Sequence, residues 1–142
     1  MRILLFSLLL TLLLLGCKNA SPAAATEPDQ EGTIAEISVE DTDKAIQAGA
    51  VAVDANSERT RKKNGTVPDA IILTSSQEYE LAQLPEDKSK DLIFYCSSTW
   101  CTASDKAAER ASTNGYKNVH IMREGIKGWK DAGKATVAYP RS

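Results

Sequence analysis

Four short apolar runs constrain the fold of this chain more than any other feature: VAVDA (51–55), AIIL (70–73), LIFYC (92–96) and NVHIM (118–122). Each is too brief for a helix, and none alternates as a half-exposed strand does, so each reads as a strand buried on both faces. Helical patterns lie between them. Residues 39–48 carry Ser38 as N-cap and Gly49 as stop, 77–84 form a second segment, 102–114 end at Gly115, and 126–132 end at Gly133. Ala103, Ala107, Ala108 and Ala111 make a small-residue stripe suited to close packing on a sheet. Strands alternating with helices predict an α/β domain, a small parallel sheet with helices on both faces, over 33–140. Sites in such sheets lie at the carboxyl ends of strands. The run LIFYC delivers Cys96 to such an end.

The first seventeen residues, MRILLFSLLLTLLLLGC, belong to no soluble fold. Arg2 precedes an apolar run over 3–15, too short to span a bilayer, which needs about 20 residues, and built like a secretory signal. Its end, Leu14-Leu15-Gly16-Cys17, resembles a bacterial lipobox. That resemblance implies a signal peptide over 1–16, with Cys17 becoming the lipidated first residue of the mature chain. Acyl chains would then hold it on a membrane, since each buried methylene adds about 0.8 kcal/mol. An ordinary cleavage within 20–25 is the alternative. Lys18 at the next position favours the outer over the inner membrane, so the expected place is the periplasm-facing cell envelope. Residues 17–32 lack anything to bury and predict a disordered tether of roughly 20 Å reach.

The chain carries 17 basic and 19 acidic side chains, a balance that argues against a nucleic-acid partner. The cluster Arg59, Arg61, Lys62, Lys63 reads as a solvated face or turn. With one histidine, His120, and two cysteines left after Cys17, the soft ligands are too few for a closed zinc site, so no metal is expected. His120 reads as a packed strand residue. An exported domain also sits where Cys96 and Cys101 are free to pair.

The segment 97–102, Ser97-Ser98-Thr99-Trp100-Cys101-Thr102, is mostly small and polar. Such a loop can curl with its N–H groups inward as an anion nest, and with a helix N-terminus behind it would lower the pKa of Cys96. The same nest would hold a persulfide. Trp100 reads as the wall of an apolar pocket beside Cys96, with a surface position as the alternative. Trp129, in GIKGWKDAG, reads as a core anchor that Gly128 lets approach closely. Asp54, at the end of its strand, is either a local cap or a partner organising the site.

In order and spacing, VAVDA with Asp54, GTVPDAIIL (65–73), LPEDKSKDLIFYC (84–96), GYKNV (115–119) and EGIKGWKDAG (124–133) resemble the single-domain rhodanese-like family. The resemblance implies a thiosulfate- or persulfide-type sulfurtransferase, with Cys96 as sulfur acceptor and the 97–102 loop as cradle for the substrate. It implies a small sulfur donor and a thiol acceptor as partners, a monomer, and no cofactor. Three departures stand out: the loop SSTWCT has no cation, Asn56 replaces the family's arginine two residues past the strand aspartate, and Thr66 replaces its histidine. Cys101 resembles the second cysteine of paired-cysteine loops in this family. It implies a Cys96–Cys101 disulfide or a resolving thiol. A non-catalytic binding module and a thiol–disulfide redox protein therefore stay open beside sulfur transfer. A dual-specificity phosphatase shares the architecture, but its chemistry needs an arginine closing the loop, and Thr102 stands there.

Overall fold

A computed structural model of the chain describes residues 34–140. The expected signal peptide over 1–16, the expected lipidation at Cys17 and the expected tether over 17–32 all lie outside the described residues. The elements run β1 (Ala35–Ile37), α1 (Val39–Gln47), β2 (Val51–Asp54), α2 (Glu58–Asn64), β3 (Ile71–Ile72), β4 (Asp91–Tyr95), α3 (Ala103–Thr113), β5 (Asn118–Met122) and α4 (Gly125–Asp131), with a 3₁₀ turn at Leu81–Gln83. The sheet has order β1-β5-β4-β2-β3, and every pairing is parallel. This is the expected α/β architecture.

Alternation along the central strands divides the core into two layers. Leu92 and Phe94 of β4, with Val53 of β2, pack under Ala107, Ala108 and Ala111 of α3 and against Tyr79 and Tyr116. Ile93 and Tyr95, with Ala52, face Val39 of α1 and Ile126 and Trp129 of α4. A strand with both faces covered has no room for alternating polar residues, which is why these runs are continuously apolar. The alanine stripe of α3 brings that helix close to the sheet, and Trp129 anchors the other layer while its indole N–H donates to Ala135 O at 2.7 Å.

Three elements differ from expectation. The segment 77–84 is not a helix. Ser75 Oγ accepts the amides of Gln77 and Glu78, Tyr79 is drawn into the core with its hydroxyl on Ala107 O, and Pro85 holds Leu84 extended. Only the 3₁₀ turn is left. The basic cluster is helix α2, capped by Ser57, whose hydroxyl accepts the amide of Thr60. Far from being solvated, Arg61 is buried: its guanidinium donates to Asp54 Oδ1 at 3.2 Å, Asp54 O at 3.2 Å and Leu73 O at 2.9 Å. Arg59 and Lys63 match the expected solvated face, both being exposed. Finally, β1 adds an edge strand beside β5 that no apolar run announces.

Removing one partner of a buried ion pair leaves the other charge uncompensated, at a cost of about 3–5 kcal/mol. Arg61→Ala is therefore expected to lower stability by that order in urea denaturation, whereas Arg59→Ala on the same helix shifts it by less than about 0.5 kcal/mol.

Candidate active site

The carboxyl ends of β2 and β4 lie side by side, Asp54 in register with Tyr95, and Cys96 follows immediately. The Asp54 carboxylate is fully buried and has each oxygen engaged. Oδ1 accepts the amide of Asn56 at 2.7 Å and Arg61 Nε; Oδ2 accepts the Tyr95 hydroxyl at 2.7 Å. The Tyr95 oxygen in turn accepts the amide of Val67 at 3.0 Å. Burial, then the neighbouring Asp54 charge, push the Tyr95 phenol well above its ordinary range, so it stays neutral and donates. Asp54 thus acts as a local cap through Asn56 and also as the knot that fixes the residue before Cys96. Asn56, at the position of the family's arginine, is buried with Nδ2 unpartnered among the described residues.

Beyond β4 the chain is clamped from α4. Ile126 N donates to Cys96 O at 2.8 Å and Lys127 N to Ser97 O at 3.1 Å. Gly125 makes this approach possible, because its φ of +62° suits glycine and a Cβ there would stand 2.5 Å from Cys96 O.

Cys96 is bonded to Cys101 in a disulfide that spans 6.2 Å between Cα atoms. Cys96 is 1% exposed, while Cys101 is half-buried. Around Cys96 Sγ stand the Cys101 carbonyl oxygen at 3.1 Å and the Ser104 hydroxyl at 3.3 Å. The loop folds back on itself, Cys101 N donating to Ser98 O at 3.0 Å. In this closed form the Cys101 amide is thus engaged within the loop. Ser97 and Ser98 are half-buried, while Thr99 and Thr102 are exposed. Trp100 is 92% exposed, so it lines no pocket: the bridge at Cys101 holds the preceding indole out in solvent. His120 sits within β5, opposite Ile93, away from the loop.

Two contributors had little signal in the sequence. Ser104, buried on the first turn of α3, offers its hydroxyl to the sulfur. Beside it Asp105 is held by Arg123 through two hydrogen bonds of 2.9 and 2.8 Å, and Arg123 also reaches Glu36 of β1. The first turn of α3 is thereby pinned to the strand ends.

The sequence profile of the rhodanese-like domain matches residues 38–132. The chain belongs to the rhodanese-like family. Among curated proteins, none matches the sequence. Solved structures share the fold at low identity. The BH2092 protein of Bacillus halodurans is 22% identical, covers 73% of this chain and 77% of its own, and has a TM-score of 0.63. A rhodanese-related protein from Thermoplasma volcanium is 20% identical, with 74% and 99% covered and a TM-score of 0.55. A Rhodopseudomonas palustris protein of unknown function, described as a possible tyrosine phosphatase, is 23% identical, with 73% and 85% covered and a TM-score of 0.60.

Gly133 has φ +72° with open space around it, so Gly133→Ala should cost only left-handed strain, about 1–2 kcal/mol. Gly125→Ala should cost more and speed reduction of the Cys96–Cys101 bridge by dithiothreitol, followed by quenched alkylation, because the clamp on Cys96 and Ser97 must shift. The Arg123 hydrogen bonds hold the Asp105 carboxyl below its ordinary 3.8. A depressed folded value means that the pair's contribution is full above that pH and fades as pH falls through the lower folded value. Asp105→Asn should therefore flatten the acid-side loss of stability below about pH 4 in denaturation series, leaving the neutral-pH profile parallel to wild type.

Proposed function

We propose that this domain is a sulfurtransferase-type protein in which reduced Cys96 accepts a sulfane sulfur as a persulfide and passes it to a thiol. The observation that carries this reading is the position of Cys96: directly after β4, with Ser104 Oγ at 3.3 Å and its own carbonyl clamped by α4. A hydroxyl donor at that distance favours an anionic sulfur over a neutral one. The absence of lysine and arginine from 97–102 favours a persulfide donor over dianionic thiosulfate. It also removes support for phosphoryl transfer, which needs a cationic clamp on the transferring group. In this reading the domain works at the cell envelope, held by lipid on Cys17.

A second reading, thiol–disulfide exchange without sulfur transfer, draws support from the Cys96–Cys101 bridge itself. One experiment separates the two. Fully reduced Cys101→Ser protein, treated with a low-molecular-weight persulfide and weighed intact, is expected to gain one sulfur atom, and Cys96→Ser protein none. No gain by the Cys101→Ser protein would leave the redox reading in its place.

A further inference from the structure

We propose that Cys101 discharges the persulfide held on Cys96 by attacking the Cys96 sulfur, so that the domain releases hydrosulfide and is reset by a protein dithiol that attacks Cys101. The inference rests on the sulfur-acceptor reading and names the fate of the sulfur and the class of partner.

Three observations carry it. Cys101 reaches Cys96 Sγ with the fold intact, since the two are bonded while β4, α3 and the α4 clamp are all in place. The reach needs no rearrangement of the sheet. Next, the inner sulfur is buried in the bridged form, with Cys96 1% exposed, whereas Cys101 already lies against it from inside the loop. An external acceptor has poorer access to the inner sulfur than the neighbour already touching it. Last, the two ends of the bridge differ: Cys101 is half-buried where Cys96 is buried, and Cys96 has the Ser104 hydroxyl beside its sulfur. Attack on a disulfide favours the accessible sulfur and the better-stabilised leaving thiolate. Both criteria direct an incoming thiolate to Cys101 and release Cys96.

The steps balance. Loading moves one sulfur from a persulfide donor RSSH to the Cys96 thiolate, giving the Cys96 persulfide anion and RSH. In discharge the Cys101 thiol sulfur bonds to Cys96 Sγ, the bond from Sγ to the outer sulfur breaks, and that sulfur leaves as HS⁻ with the Cys101 proton. The two cysteine sulfurs are oxidised to the disulfide and the sulfane sulfur is reduced to sulfide. Reset transfers two electrons and two protons from the dithiol to the bridge, through a mixed disulfide on Cys101 with Cys96 leaving.

The test uses the reduced domain and cysteine persulfide, quenched with an alkylating agent, with intact mass and released hydrosulfide as readouts. Wild type is expected to become the disulfide form, two hydrogens lighter and unalkylated, with one hydrosulfide per protein above the Cys96→Ser background. Cys101→Ser is expected to retain one added sulfur and release none. Wild type that retains the added sulfur while Cys101 remains alkylatable would overturn the discharge step and leave the sulfur-acceptor reading intact. A cysteinyl adduct in place of added sulfur on Cys101→Ser would overturn both, because the donor would then have been attacked at its inner sulfur. For reset, a thioredoxin-type protein lacking its resolving cysteine is expected to be trapped on Cys101 with Cys96 free, and trapping on Cys96 contradicts the assigned polarity.

Discussion

The Asp54 carboxylate is the constraint from which the rest of the structure follows. It is fully buried at the end of β2, and its oxygens join three separate parts of the chain: Arg61 from α2, the Tyr95 hydroxyl from β4, and the amide of Asn56. A buried carboxylate is tolerable only when its hydrogen-bonding capacity is met, so these partners are bound to one another's positions. Through Tyr95 the carboxylate fixes where the central strand stops. Through Arg61 it reaches Leu73 O past the end of β3 and holds α2 against the sheet. Cys96 leaves the strand from a point determined on one side by this knot and on the other by the amides of Ile126 and Lys127.

Rigidity at that point matters because thiol chemistry depends on small displacements. Cys96 is nearly inaccessible, with Ser104 on one side of its sulfur and Cys101 bonded to it. The segment between the cysteines carries the freedom that remains: Thr99 and Trp100 lie in solvent and have few neighbours to hold them. A buried first sulfur beside a second cysteine within bonding reach is what the proposed cycle needs, the first being loaded and the second discharging it. In the proposed cycle sulfur then leaves as hydrosulfide when the loop closes, and is not handed directly to a large acceptor.

The sequence made the sheet legible because β2, β4 and β5 are covered on both faces and appear as apolar runs, while β3, half-buried at the edge, is short but wholly apolar. It concealed β1, whose three residues, Ala35-Glu36-Ile37, take only an edge position. Helix α2 was hidden for a different reason. ERTRKKN has no apolar stripe, and what it buries is a guanidinium whose partners lie 7 and 12 residues away. The 77–84 segment misled in the opposite direction, since Tyr79 follows the tertiary core and not a helical period. At the site, Cys96 and Cys101 could be read from their place at the end of the third run and in the loop behind it. Ser104 and Gly125 could not, because a serine on a helix's first turn and a glycine opening a helix become meaningful only when folding brings them to the sulfur and to Cys96 O.

The most direct measurement is the order in which sulfur species appear when reduced wild-type protein meets a persulfide donor, followed by rapid alkylation and peptide mapping. The account predicts a transient persulfide on the Cys96 peptide that decays as the Cys96–Cys101 bridge grows in. A first persulfide on Cys101, or a bridge that forms with no persulfide on Cys96 at any time, would contradict it.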